Sequence, residues 1–213
     1  EARHGIVLTA SYPAKRMGVK TGMPIWEAKQ HCRDLIIVPA NYGKYQKYSG
    51  YVREVFNDYT DQVESFGLDE AWLDITGSVG LFGSPVKIAK EISVRIKREL
   101  GITVSIGVSF NKITAKLGSD YKKPDAITII EPENYKEIVY PLPARDLLYV
   151  GAATQRKLGS YGIRTIGQLA ETNPETLKGW FGVMGYTLSA FARGLNQTPV
   201  AKQNAHTAIK SVG

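Results

Sequence analysis

Apolar and aromatic residues recur at helical spacing through residues 42–59, where Tyr45, Tyr48, Val52, Val55, Phe56 and Tyr59 form one stripe, predicting a long amphipathic helix. A second helix is predicted over 86–100. Ile88, Ala89, Ile92, Ile96 and Leu100 line its apolar face, Lys87, Lys90, Arg95, Lys97 and Arg98 lie largely opposite, and Gly101 is placed to cap its end. Runs of alternating or continuous apolar residues predict strands at 5–10, 35–38, 103–108 and 126–130, with another after Gly67. Pro24 opens a short helix through Ala28, and a further helix is predicted over 111–119.

The predicted elements alternate between helix and strand up to 126–130, and a ferredoxin-like α+β unit is expected if one further strand precedes the first helix. From residue 131 the texture changes to short helices separated by glycines, with Pro132, Pro141 and Pro143 at the boundary. The stretch 148–158 followed by 162–169 resembles a helix-hairpin-helix module, whose helix N-terminus can receive a phosphate through unsatisfied backbone N–H groups. Tyr149 stands where the usual pattern has its first glycine. Beyond Leu195 the chain turns polar and aperiodic and reads as a linker.

Composition narrows the function classes. The 213 residues are 43% hydrophobic, enough for two or three subdomains. No run of about 18 apolar residues and no charged-then-apolar leader is present, so a cytoplasmic protein is expected. Cys32 is the single cysteine, and His4, His31 and His206 are too scattered to build a zinc signature with it, so any metal should be a hard, oxygen-liganded ion. A net charge of +7 and 12 tyrosines favour an anionic partner with flat surfaces, and nucleic acid fits best.

The densest chemistry lies in Glu64-Ser65-Phe66-Gly67-Leu68-Asp69-Glu70-Ala71-Trp72-Leu73-Asp74. Strand alternation would put Asp69 on the same face as Ala71, Leu73 and Ile75, where an unpaired carboxylate would cost several kcal/mol. Asp69 must therefore sit where the strand leaves a turn, which Gly67 allows, or be neutralised by a cation.

The string resembles the metal-binding motif of the Y-family, translesion DNA polymerases of the DNA polymerase IV type. The resemblance runs from about Gly5 to the C-terminus. It includes Thr9-Ala10-Ser11-Tyr12 with Lys15-Arg16-Met17-Gly18-Val19, Gly107-Val108-Ser109 through Asn111-Lys112, Ala115-Lys116, and Ser119-Asp120 with Lys122-Lys123-Pro124.

The resemblance implies fingers at 1–41, a catalytic palm at 42–130, a helix-hairpin-helix thumb at 131–197, and a linker at 198–213 toward a little finger domain, of which 209–213 looks like the opening strand. It implies transfer of a nucleotide from a dNTP to a primer 3′ end by two magnesium ions, in DNA damage tolerance. Asp69 and Glu70 would be the catalytic, metal-holding carboxylates. Thr9, Tyr12, Lys15 and Lys123 would meet the dNTP, and Lys112, Lys116, Gly151, Thr154 and Lys157 the primer-template DNA.

Several positions depart from the pattern. Lys15 replaces the usual arginine and loses its bidentate fork, Gly67 replaces a serine, and Trp72 replaces a tyrosine and reads as packing. The family's first metal-binding aspartate and its sugar-discriminating aromatic lie on an N-terminal strand not found in this sequence, so a fragment that is inactive alone is expected. A sliding clamp would be reached through a C-terminal region that is likewise not found. A non-catalytic DNA-binding scaffold on the same palm and thumb is the main competing reading, and a cyclase-like enzyme on a related palm the second. The helical hairpin and Lys122-Lys123-Pro124 favour a polymerase over a cyclase.

Overall fold

The computed structural model describes residues 5–201, so the strand expected at 209–213 lies outside the described residues. The chain divides at Gln46/Lys47 into two compact units. In the first, α1 (Tyr12–Arg16) is capped by the Ser11 hydroxyl, which accepts from the Ala14 N–H at 3.5 Å, and α2 (Ile25–His31) follows Pro24 at its N-cap. Ala14, Val19 and Ala28 form a small core against Val7, Ala10, Met23, Cys32 and Leu35.

The strands expected at 5–10 and 35–38 do not form. Residues 5–7 run extended beside 22–25 through three backbone bonds of 2.8–2.9 Å, closing only one isolated bridge, Ile6 to Pro24. Ile36 and Val38 are 86% and 79% exposed. An apolar run becomes a strand only when a neighbour completes its ladder, and no described residue pairs with 35–38.

α3 (Tyr42–Asn57) matches the predicted stripe and contains the division between the units. Its Val52, Val55 and Phe56 pack with Tyr59 against Ile88, Ile92 and Ile96. β1 (Val63–Phe66) and β2 (Glu70–Leu73) then form an antiparallel hairpin with Glu64 opposite Trp72 and Phe66 opposite Glu70. After the short α4 (Val79–Phe82), α5 (Pro85–Leu100) presents the predicted apolar face, and Gly101 ends it at φ +67°.

β3 (Ile106–Ser109), α6 (Lys112–Tyr121) and β4 (Ile127–Ile130) form a parallel crossover unit. β3 begins three residues later than predicted. α6 lies so close to β3 that a Cβ on Gly107 would fall 1.9 Å from the Ala115 carbonyl oxygen. Among the described residues the strands make two two-stranded sheets, β1–β2 and β3–β4, within an α+β architecture.

The helices α7 (Tyr135–Val139), α8 (Ala152–Ser160), α9 (Ile166–Glu171), α10 (Pro174–Phe181) and α11 (Val183–Ala192) follow. Leu158, Ile166, Leu169, Leu177 and Leu188 are fully buried among them, and the same cluster takes in Ile113, Leu117 and Ile130. The core is therefore continuous from α6 and β4 into the helical segment. No described helix is long and apolar enough to cross a membrane.

Candidate functional site

The β1–β2 turn is held by α3. Gly67 adopts φ +78°, a conformation that suits glycine, and this lets three residues reverse the chain. Arg53 donates from Nη2 to the Gly67 carbonyl at 3.1 Å, from Nε to Ser65 Oγ at 3.0 Å and from Nη1 to Ser49 Oγ at 2.6 Å. The Ser49 hydroxyl in turn donates to the Leu68 carbonyl. Ser49 and Arg53 sit one helical turn apart, and nothing in their sequence context singled them out.

Asp69 lies in this turn, outside the ladder and exposed, which realises the turn alternative of the sequence reading. No described residue forms an ion pair with it. Glu70, the first residue of β2, is half-buried, and its Oε1 accepts from Lys116 Nζ at 2.8 Å.

The lysines of α6 meet internal carboxylates. Lys112 Nζ donates to both oxygens of Glu64, at 2.9 and 2.8 Å, and lies 5.2 Å from the centre of the Trp72 ring. Trp72 Nε1–H donates to the Lys112 carbonyl at 2.9 Å. Lys116 bridges Glu70 and Asp120 Oδ2, each at 2.8 Å, and Lys123 reaches Asp120 Oδ1 at 2.5 Å. Like charges one helical turn apart repel, and for Lys112 and Lys116 this is relieved by Glu64, Glu70 and Asp120. Burial opposes the charge on Lys116, but its bonds to Asp120 and Glu70 outweigh it and raise its pKa. At Asp120 burial would raise the pKa, yet Lys116 and Lys123 lower it. Glu64 and Asp120 were not foreseen as partners, because their pairing depends on how α6 faces the hairpin.

Several other carboxylates are engaged elsewhere. Asp58 pairs with Arg95 at 2.8 Å, Asp125 with Lys97, and Asp74 Oδ1 accepts from the Thr76 N–H at 2.9 Å. Asp69 and Glu70 are therefore the adjacent oxygen donors that fit a hard divalent ion, one unpaired and one already neutralised by a cation. Among the described residues no group of three or more His, Cys, Asp or Glu gathers into a fuller cage.

Thr9, Tyr12 and Lys15 stand in the first unit. Tyr12 begins α1, Lys15 Nζ lies 5.0 Å from the centre of its ring, and all three residues are exposed. In the helical segment Gly151 is the N-cap of α8, Thr154 is half-buried in its first turn, and Lys157 Nζ donates to the Trp180 carbonyl while lying 4.9 Å from the Phe181 ring centre. Tyr149 holds φ +71°, the left-handed conformation for which the usual pattern places glycine, and stacks on Phe191 at 5.9 Å. A cleft of about 400 Å³ between α6 and this loop is lined by Lys116, Asp120, Asp146, Tyr149 and Gly151.

The sequence profile of the impB/mucB/samB family matches residues 1–120. The DNA polymerase IV of Acetivibrio thermocellus is 54% identical over 213 residues, covering 100% of this chain and 53% of that protein. DNA polymerase IV 1 of Bacillus subtilis (strain 168) is 40% identical over 211 residues, covering 99% of this chain and 50% of its own length. The chain thus spans about half the length of the curated relatives it matches. Among solved structures, DinB from Sulfolobus solfataricus superposes with a TM-score of 0.83 at 32% identity, over 92% of this chain and 58% of that one. An insertion ternary complex of Dbh DNA polymerase does so at 0.84 and 32% identity, with the same coverage of both chains.

Proposed function

Because the chain belongs to the impB/mucB/samB family, we propose that it serves a DNA-directed DNA polymerase of the low-fidelity, lesion-bypass type, using primer-template DNA and dNTPs. The observation that carries the proposal is the adjacent Asp69 and Glu70 presented by a tight hairpin turn, in a chain 54% identical over its full length to a DNA polymerase IV. Divalent ions held by this all-oxygen donor set, magnesium by its chemistry and two in number, would supply activation of the primer 3′ hydroxyl and stabilisation of the leaving pyrophosphate.

The residues have separate tasks. Asp69, whose turn backbone is held by Arg53 and Ser49, would be the principal metal-holding carboxylate, and Glu70 would assist it. Thr9, Tyr12 and Lys15 are the dNTP contacts of the first unit, and Lys123 is a dNTP contact of the second that must give up its pairing with Asp120 to act. As a lysine, residue 15 supplies charge without the two-pronged geometry of arginine, which gives a less directional grip. Gly151, Thr154 and Lys157 sit at the first turns of α8, where backbone N–H groups suit a DNA phosphate without reading sequence. Lys157 contributes there only by exchanging its bond to the Trp180 carbonyl. The proposal extends to recruitment by a sliding clamp and to a cytoplasmic setting.

The test is magnesium-dependent primer extension by the full-length protein, wild type beside Asp69→Ala, on undamaged and abasic templates. Loss of roughly 10³-fold or more in rate is expected for the variant. Equal extension by both proteins would remove Asp69 from the chemistry. No extension by either, with primer-template still bound, would favour the non-catalytic scaffold.

A further inference from the structure

Lys116 touches the hairpin and its own helix at once. Its ammonium lies 2.8 Å from Glu70 on the hairpin and 2.8 Å from Asp120, one turn along its own helix, and its side chain is only 17% exposed. Asp120 offers Oδ2 to Lys116 and Oδ1 to Lys123, so it keeps a lysine on each oxygen. Glu70, by contrast, presents Oε1 to Lys116 and stands next in sequence to the unpaired carboxylate of Asp69.

A divalent cation on Asp69 and Glu70 would bring a second positive charge to a carboxylate that already carries one. Two cations on one carboxylate repel, and in a partly buried setting water screens them incompletely. Lysine suits an exchange because its charge is compact, its stem is flexible and its three donors can hold one acceptor while releasing another.

We propose that Lys116 is an internal counter-cation for Glu70, which it surrenders to a divalent metal ion by withdrawing onto Asp120. Lys116 is thus a positioning residue whose competition sets how tightly the carboxylate pair takes metal, and Asp120 sets the strength of that competition. This rests on the metal-holding reading of Asp69 and Glu70.

The experiment titrates the full-length protein with Mn²⁺ alone, following paramagnetic broadening of the backbone amide signals of residues 68–71. Proteins compared are wild type, Asp69→Ala, Lys116→Met, Lys116→Arg, Asp120→Asn and the Lys116→Met/Asp120→Asn double variant. Removing the competing charge in Lys116→Met is expected to tighten Mn²⁺ binding by about fivefold. Lys116→Arg, which keeps the charge, should stay near wild type. Asp120→Asn should weaken binding by about threefold alone, since Lys116 then has only Glu70 to hold, and by much less in the Lys116→Met background. Unchanged or weaker binding in Lys116→Met, or an Asp120→Asn effect of equal size in both backgrounds, would overturn the counter-cation role. Binding that is the same in Asp69→Ala as in wild type would instead remove the metal-holding reading, and the proposal with it.

Discussion

Glu64 shows how one side chain ties distant parts of the chain together. Its two oxygens accept from Lys112 Nζ, and Oε2 also accepts from the Ala201 N–H at 2.7 Å, joining β1, α6 and the segment that follows α11. Burial pushes the Glu64 pKa up, but Lys112 and the Ala201 N–H outweigh it and lower the pKa below the ordinary glutamate value. A depressed folded-state pKa means that the stabilisation is full above the pKa of an unfolded glutamate and is lost as pH falls through the folded value. Glu64→Gln is therefore expected to lose about 1–3 kcal/mol at pH 7, where it leaves the Lys112 charge poorly matched, and to lose less than wild type on going from pH 7 to pH 3.5. Urea midpoints at the two pH values measure this, and parallel losses in the two proteins would rule Glu64 out as a titrating contributor. The pairing could not be read from sequence, where Glu64 is simply an acidic residue before a glycine turn. Trp72 was legible as packing, but not the bond from its N–H to the Lys112 carbonyl.

Helices were far more legible than strands. The stripes of α3 and α5 were visible because a helix satisfies its own backbone, so an amphipathic period is enough to predict it. The runs at 5–10 and 35–38 have equally apolar residues, yet a strand exists only with a partner, and periodicity carries no information about partners. Close approach between elements is also a tertiary matter, and it predicts opposite outcomes for two glycines. Gly107→Ala would drive its Cβ into the Ala115 carbonyl, separating α6 from β3 at a cost of about 3 kcal/mol or more. Gly159→Ala, in α8 with nothing within 4 Å of the new methyl, should stabilise by about 0.5–1 kcal/mol through helix propensity. Denaturant unfolding of both variants checks the pair of signs, and a neutral Gly107→Ala would show that α6 can move away freely.

Across the whole molecule, a net charge of +7 overstates what is available to an anionic ligand. Lys112, Lys116 and Lys123 all hold carboxylates of the same chain. Lys112→Met in the full-length protein is expected to leave the salt dependence of primer-template binding unchanged, because the Lys112 charge is matched by Glu64. A slope smaller by about 1 would mean that a DNA phosphate displaces that carboxylate. The sequence by itself determined the α+β class, the amphipathic helices, the glycine that permits the Asp69 turn, and the adjacency of Asp69 to Glu70, all of which follow from spacing within a few residues. It also put Lys112 and Lys116 one turn apart on the helix expected at 111–119. Only the tertiary structure decided which hairpin carboxylate each lysine meets, since Lys112 reaches Glu64 across 48 residues and Lys116 reaches Glu70 across 46. Local geometry fixes what a helix or turn presents, whereas the charge left for metal or phosphate depends on which elements pack together and in what register.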